Sequence, residues 1–161
     1  MAVDFFLKIP TIPGESKDDK HKDSIDILAW SWGMSQSGTT HMGGGGGAGK
    51  VSVQDLSFTK YIDKSSTELQ LACCKGTHLD NALLTMRKAG DNPLEYLKIK
   101  MTDVIITSYS TGGSGGEEML TENVSLNFAK VEVSYQEQDQ KGAKQGGEKK
   151  MGYNMQTNKA V

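Results

Sequence analysis

Two glycine-rich segments of the 161-residue sequence have the spacing of loops that do chemistry in other proteins. Residues 44–50 match the first seven positions of the phosphate-binding loop G-x-x-x-x-G-K-[ST]. That loop also needs a serine or threonine after the lysine, to hold Mg²⁺, and a helix whose N-terminus faces the phosphate. Here Val51 follows Lys50, and a strand-like alternation follows Val51. The segment therefore lacks both neighbours that nucleotide binding requires, and a phosphate-binding enzyme remains only as an alternative.

The second segment, residues 112–116, matches the G-x-S-x-G pattern of a nucleophile elbow around Ser114. Such an elbow is followed by a helix, and its acid and histidine come later in the chain. The three histidines, His21, His41 and His78, all precede the serine, and a strand pattern follows it. These features predict a glycine-rich hairpin connection and not a catalytic serine.

Cysteine and histidine side chains offer a third possibility at Cys73, Cys74 and His78. Adjacent helical residues point about 100° apart, so both thiols cannot easily share one ion. Zinc sites are usually four-coordinate, and no fourth ligand is spaced nearby. We therefore predict that Cys73 is a small core residue and Cys74 a more exposed neighbour. The sequence predicts no catalytic residue, metal or cofactor, and hence a protein that is not an enzyme.

Composition and charge exclude further classes. The chain has a formal net charge of −2 and a pI of about 5.9, whereas nucleic-acid-binding domains usually have a pI above about 9. No stretch approaches the roughly 20 apolar residues of a membrane span, so membrane insertion is not expected. The N-terminus has an acid where a signal peptide has bases. We expect synthesis in the cytoplasm and, for any export, a route without a cleaved signal.

The elements that position these residues are mostly strands. Glycine makes up 19 of 161 residues, but thirteen of the glycines lie in three segments, 43–49, 112–116 and 142–147, which we interpret as loops. One-residue slips of the apolar alternation within 51–61 and 124–135 predict bulges at barrel corners. The predicted strands are 3–9, 25–34, 51–61, 82–89, 94–109, 120–135 and 151–155.

One helix is predicted at about residues 65–76. Ser65 and Glu68 have the spacing of a capping box, and Gly76 is placed to end the helix. Leu69 and Ala72 begin a single apolar stripe, which would lie on the sheet. The whole chain, 1–161, is predicted to form one mainly β domain, a barrel or sandwich with one short α-helix.

The strand 25–34 has two contrasting faces. Trp30 and Trp32 share one face, whereas Ala29, Ser31 and Gly33 share the other. The small side faces either solvent or a cavity shared between subunits of an oligomer, and alternation alone does not decide between them. The long loop at about 35–50 favours an oligomer, because ordering the six glycines of 43–49 is costly and contact with a neighbouring subunit would offset that cost.

Several blocks of the sequence together resemble the haemolysin-coregulated protein (Hcp) family of bacterial type VI secretion. They are LAWSWGMSQSG at 28–38, HMGGGGGAGKV at 41–51, QDLSFTKYIDK at 54–64, MRKAG at 86–90, STGGSGGE at 110–117 and LTENV at 120–124. The resemblance runs from residue 3 to about 135 and is looser from Glu137 onward.

The resemblance implies a two-sheet β-barrel with one helix that assembles into a hexameric ring. Rings would stack into a tube inside a contractile sheath on a baseplate, capped by a VgrG-type spike, and small effector proteins would be carried in the lumen. The protein would be secreted to the medium or a target cell. A non-secreted cytoplasmic scaffold ring is the alternative that the residues alone leave open.

Site residues follow from the same resemblance. The channel wall and effector contacts are expected around Ala29, Ser31 and Gly33. The ring-contact and stacking loop is expected to comprise Gly38, Thr39, Thr40, His41, Met42, Gly43, Gly44, Gly45, Gly46, Gly47, Ala48, Gly49 and Lys50.

Overall fold

The computed structural model describes residues 3–38, 49–90 and 92–161, which form eleven strands and one helix. The predicted mainly β fold with a single short helix is confirmed. The elements in chain order are β1 (Val3–Lys8), β2 (Ile25–Ile27), β3 (Ala29–Ser31), β4 (Met34–Ser35), β5 (Ser52–Val53), β6 (Leu56–Tyr61), α1 (Ser66–Lys75), β7 (Leu79–Lys88), β8 (Leu94–Gly112), β9 (Thr121–Tyr135), β10 (Lys149–Asn154) and β11 (Lys159–Ala160).

Nine of the strands form one sheet that closes on itself, and β4 and β5 form a separate two-stranded ribbon. Neighbouring strands run in the order β2, β1, β7, β8, β9, β6 and β3, and all these pairs are antiparallel. Only Leu28 separates β2 from β3, and its N–H donates to the Thr59 carbonyl oxygen at 2.8 Å. The chain therefore completes the barrel by leaving β1 and joining β6.

The apolar core fills the barrel because alternate residues of each strand point inward. Leu7, Leu84 and Ile99 lie on three consecutive strands, in register, and all are buried. Burial of an aliphatic side chain contributes about 1.5–3 kcal/mol relative to leaving it in water. Because the inward residues supply the core, the outward residues can serve a function without loss of the fold.

The prediction of one continuous strand at 25–34 is wrong. Ile25 and Ile27 point into the core, whereas beyond Leu28 the inward residues are Trp30 and Trp32. Leu28 itself is 43% exposed. The inward-facing set changes at Leu28 because the chain changes its pairing partner there. The segment 51–61 is likewise two strands, β5 and β6, and not one bulged strand.

The change of phase in the apolar alternation within 124–135 is not the predicted bulge. The pairings Met101↔Val131 and Val104↔Phe128 have the same register, so β8 and β9 change phase together. Asp103, between the two pairs, has a positive φ of 55°. Left-handed backbone is unfavourable for most residues but is tolerated by aspartate. The register shift between these strands lies elsewhere, between Ile106 and Ser108.

The helix α1 matches its predicted bounds but not its predicted start. The Ser65 side chain makes no cap to the helix and instead donates to Asp63 Oδ1 at 2.5 Å. The predicted capping box is therefore absent. Gly76 ends the helix in the left-handed conformation, with φ 62°, as predicted. Leu69 and Ala72 are buried, Cys73 is half-buried and Cys74 is exposed, and both thiols are free.

A buried ion pair joins the helix to the barrel. Lys60 on β6 and Glu122 on β9 are in register, and both side chains are completely buried. Lys60 Nζ donates to a Glu122 oxygen and to Asp63 Oδ1, the latter at 2.9 Å. Ser66, the first residue of α1, donates through Oγ to Glu122 Oε1 at 2.8 Å, and the Tyr109 hydroxyl donates to the other carboxylate oxygen. One carboxylate therefore binds groups on β6, β8 and α1.

A second ion pair fixes the polar loop 10–24 to the barrel. Both Asp18 oxygens accept hydrogen bonds from the Arg87 guanidinium, at 2.8 and 2.6 Å. Arg87 also lies over the Phe6 ring, 4.8 Å from its centroid. The hydrogen bonds from Arg87 stabilise the ionised carboxylate and lower the pKa of Asp18 to about 2.

Glu122→Gln is expected to lower the free energy of unfolding by about 1.5–3 kcal/mol, because it replaces the buried charged partner of Lys60 by a neutral one and leaves Asp63 as the remaining carboxylate on Lys60. Glu132→Gln on the same strand is the matched control, since Glu132 faces solvent and its loss should change stability by less than about 0.5 kcal/mol. Equilibrium urea denaturation measures both. Equal effects would contradict the anchoring role of Glu122.

Asp18→Asn is expected to lower the free energy of unfolding at neutral pH by about 1–2 kcal/mol, the range of a partly screened charge-assisted hydrogen bond. Because the folded-state pKa is depressed, wild type should lose this stabilisation as the pH falls from about 4 to about 2. Thermal denaturation from pH 7 to pH 2 should show the two proteins converging. Asp19→Asn, at the exposed neighbour, should parallel wild type throughout.

Candidate functional site

Eight outward positions on β3, β6, the first half of β9 and the end of β8 carry only short, uncharged side chains. On β6, Leu56, Phe58 and Lys60 point into the barrel, so Ser57 and Thr59 point outward. Pairing aligns these two residues with outward residues of the neighbouring strands in two rows. The first row is Ala29, Thr59, Asn123 and Ser110, and the second is Ser31, Ser57, Ser125 and Ser108. We call these eight residues the small-residue face.

Hydrogen bonds across the strands hold the small-residue face flat. The hydroxyls of Ser57 and Ser125 lie 3.0 Å apart, and Thr59 Oγ1 donates to Asn123 Oδ1 at 2.6 Å. At the edge of the face, Asp55 accepts from Asn127 Nδ2 at 2.9 Å. These side chains satisfy one another and project little from the sheet. The face can form hydrogen bonds with a visiting protein but offers no fixed charge among its eight members and no large apolar group.

The structure places two of the three predicted wall residues on this face. Ala29 and Ser31 belong to it and are exposed. Gly33 does not, since it follows β3 and lies against Gln54, whose N–H donates to the Gly33 carbonyl oxygen at 2.9 Å. A Cβ at Gly33 would lie 3.2 Å from Gln54 Oε1. The sequence analysis missed the face residues on β6, β8 and β9, although their small size at alternate positions was a signal that could have found them.

The tryptophans lie on the opposite side of the same segment. Trp30 and Trp32 are half-buried and pack against the core, and the ring centroid of Trp32 is 6.2 Å from that of Phe128. Within β3, the half-buried Trp30 lies on the core side and the exposed Ala29 and Ser31 lie on the outer side, so the two faces separate as the alternation predicts.

Of the predicted ring-contact loop, the structure describes Gly38, Gly49 and Lys50. Its two ends leave and rejoin the barrel at the β4–β5 ribbon, through the pairs Met34↔Val53 and Ser35↔Ser52. A Cβ at Gly49 would lie 2.1 Å from Ser37 Oγ, so a larger residue there would require the Ser37 hydroxyl to move. The remaining predicted loop residues, Thr39, Thr40, His41, Met42, Gly43, Gly44, Gly45, Gly46, Gly47 and Ala48, lie outside the described residues.

The segments that resemble catalytic motifs lack their required neighbours. Val51 leads into β5 and not into a helix, and Gly112 ends a strand whose partner, β9, begins at Thr121. His78 Nδ1 lies 3.0 Å from Asp103 Oδ1 at the surface, in an exposed pair. Within residues 3–38, 49–90 and 92–161 no three His, Cys, Asp or Glu side chains form a group that could hold a metal ion. The helix in that part of the chain is too short to cross a membrane.

Comparison with known proteins identifies the class to which this barrel belongs. The family described as "Type VI secretion system effector, Hcp" matches residues 6–135. Among solved structures, Hcp1 from Salmonella typhimurium is 42% identical with a TM-score of 0.82, each chain covering all of the other. A structure titled as a type six secretion system protein is 31% identical with a TM-score of 0.93, over 99% of this chain and 100% of that one.

The chain therefore belongs to the Hcp family of secreted type VI secretion proteins, and the predicted resemblance is confirmed. At the level of individual proteins, it is 63% identical over 159 residues to Protein hcp1 of Pseudomonas aeruginosa, covering 98% of each chain.

Ser57→Ala is expected to change the free energy of unfolding by less than about 0.5 kcal/mol, because the side chain lies on the outer surface. Phe58→Ala, one residue along the same strand, should cost about 3–5 kcal/mol because Phe58 is in the core. Urea denaturation of the two variants checks the assignment of the two faces. A large loss for Ser57→Ala would mean that the small-residue face is structural.

Proposed function

We propose that this chain is the ring-forming subunit of a type VI secretion tube and that its small-residue face lines the central channel. The observation that carries the proposal is the absence of charge from eight outward positions on four adjacent strands. Across the whole chain 24% of residues are charged, and solvent-exposed surfaces usually carry charges of both signs. The lack of charged side chains in both rows of the small-residue face therefore indicates a specific role for this surface.

A channel wall explains the composition of this face. Short side chains leave the channel wide, and hydroxyl and amide groups keep its wall hydrated. A wall without fixed charge neither repels nor strongly retains acidic or basic cargo, because long-range attraction and steering depend on charge. Effector proteins of different composition can then be carried and stabilised by weak contacts. The eight members of this face include hydroxyl groups but no histidine, carboxylate or thiol to activate them or to bind a metal, which fits a structural protein and not an enzyme.

The remaining parts of the proposal concern assembly. We infer a hexameric ring, stacked into a tube within a contractile sheath, with a VgrG-type spike at its tip and a baseplate below. We infer that residues 38–50 contact neighbouring subunits, since the two ends of this segment, Gly38 and Lys50, are exposed beside the β4–β5 ribbon. Export follows contraction of the sheath.

Electron microscopy of the purified protein, together with culture supernatants, tests the function. We expect six-fold rings with an open centre, and we expect the protein in the medium only when the contractile apparatus is intact. A monodisperse monomer would contradict the ring. Rings that remain inside the cell with the apparatus intact would instead favour a cytoplasmic scaffold.

A further inference from the structure

We propose that Asp55 gives the channel wall a preference for basic cargo, because its carboxylate binds a lysine or arginine side chain of the carried protein. The inference rests on the proposed function, in which the small-residue face lines the channel, and it names the chemical class of cargo that this wall favours. Asp55 borders the face and places one fixed negative charge beside its eight uncharged positions.

Asp55 continues the outward side of β6 by one position. Ser57 points outward and Leu56 is buried, so alternation places Asp55 on the same side as Ser57. Asn127 continues the outward side of β9 in the same way, and its Nδ2 donates to Asp55 Oδ1 at 2.9 Å. Asp55 and Asn127 therefore extend the small-residue face by one row, at the end where β6 begins.

A β-bulge turns a second donor toward Asp55. The register of β8 against β9 shifts between Ile106 and Ser108, so Thr107 is the extra residue of β8. A bulged residue leaves the regular ladder, and its side chain is redirected. Thr107 Oγ1 lies 2.7 Å from Asp55 Oδ2, and the Ser125 carbonyl oxygen, at 3.2 Å, is the more distant acceptor of the same hydroxyl. Strand β8 thus departs from regular pairing at the residue that orients the Asp55 carboxylate.

The Asp55 carboxylate differs from every comparable carboxylate in residues 3–38, 49–90 and 92–161. Seven carboxylates there are partly or fully buried, and six of them have a cationic nitrogen within 4.0 Å, namely Asp4, Asp18, Asp63, Glu95, Glu122 and Glu132. Asp55 is the seventh and belongs to none of these ion pairs. Its two oxygens accept from neutral groups alone, and a carboxylate has about four acceptor sites, so about two remain open.

Basic residues of the adjacent cavity leave these acceptor sites open. The cavity, of about 380 Å³, borders the face at Asn127, and Lys50 and His78 are among its lining residues. His78 Nδ1 lies 3.0 Å from Asp103 Oδ1, and Lys50 takes part in no ion pair within the described ranges. The charge of Asp55 is therefore available to a cation that comes from outside the chain.

A lysine or arginine side chain fits this carboxylate better than a metal ion does. Thr107 and Asn127 both donate to Asp55, so neither offers it an additional metal ligand through those contacts. In the part of the chain that the structure describes, no three His, Cys, Asp or Glu side chains form a metal-binding group. Charge-assisted hydrogen bonds to ammonium or guanidinium groups need only the carboxylate itself.

The proposed ring repeats the Asp55 charge once in every subunit, at one level of the channel. The other end of the wall is uncharged, since Tyr61, Thr121 and Gly112 are aligned there. The six residue steps from Asp55 to Tyr61 span about 20 Å of strand, so the charge lies at one end of the wall. A ring of carboxylates in a passage with otherwise neutral walls attracts cations. Basic cargo is therefore retained with its basic surface toward the Asp55 end.

Binding of two labelled peptides to the assembled protein tests this preference. One peptide alternates arginine with serine, and the other has glutamate in place of each arginine. Asp55→Asn removes the charge and keeps the shape of the side chain. Asp80→Asn, at an exposed carboxylate on β7 outside the face, is the matched control, because it changes the net charge by the same amount. Fluorescence anisotropy measures the affinity, and light scattering measures the mass of each assembly.

We expect wild type to bind the arginine peptide more tightly than the glutamate peptide. Asp55→Asn should bind the arginine peptide about fivefold more weakly than wild type, the upper range for one exposed ion pair, whereas Asp80→Asn should match wild type. Equal affinity of wild type for both peptides, or equal effects of the two variants, would overturn the proposal. A reduced assembly mass for Asp55→Asn alone would also overturn it, because Asp55 would then bind a cation of a neighbouring subunit. A monomeric wild type would instead overturn the ring.

Two variants of Thr107 test the orienting role of the bulge. Thr107→Val removes the hydroxyl and keeps the Asp55 charge, so it should weaken binding of the arginine peptide about twofold, the lower range for one hydrogen bond. Thr107→Ser keeps the hydroxyl and should bind as wild type does. Equal binding by the two Thr107 variants would contradict the role assigned to this side chain.

Discussion

The buried pair of Lys60 and Glu122 determines which side of the barrel wall faces inward. A one-residue slip of β6 against β9 would turn Lys60 outward, leave Glu122 buried without it and bury Thr59 and its neighbours instead, because side chains alternate strictly along a strand. Either charge left alone in the interior would cost several kcal/mol, so registers that separate them are disfavoured. The Glu122 carboxylate also accepts a hydrogen bond from Ser66, and it thereby places α1 on the same end of the barrel.

The burial of Lys60 with Glu122 and the outward position of the small-residue face both follow from the register of β6 against β9. Thr59 and Asn123 face out on the same strands, one residue from Lys60 and Glu122. The inward-facing set of β9 changes opposite Asp103, and the two halves of the strand have different roles. Its first half carries the small-residue face, whereas its second half, from Lys130 to Tyr135, pairs with β10. The ten steps from Thr121 to Val131 span at most about 33 Å of strand, so the channel wall and the pairing with β10 can occupy separate parts of one long strand.

Local patterns predicted the parts of this structure that depend on local chemistry. Gly76 ended the helix where a left-handed residue was needed, and Trp30 and Ser31 separated to opposite faces as alternation requires. The strand break at Leu28 was not predictable in this way, because it arises from a change of partner between β1 and β6. The burial of Lys60 was also missed, since its carboxylate partner is 62 residues away along the chain. The apparent capping box at Ser65 failed because the neighbouring Asp63 binds that hydroxyl.

The central claim is that the small-residue face lines a channel, and a cryo-electron microscopy reconstruction of the assembled protein tests it most directly. The account predicts that Ser31, Ser57 and Ser125 point toward the ring axis in every subunit, in contact with solvent or cargo. A reconstruction in which these side chains are buried between subunits, or lie on the outer rim of the ring, would contradict it.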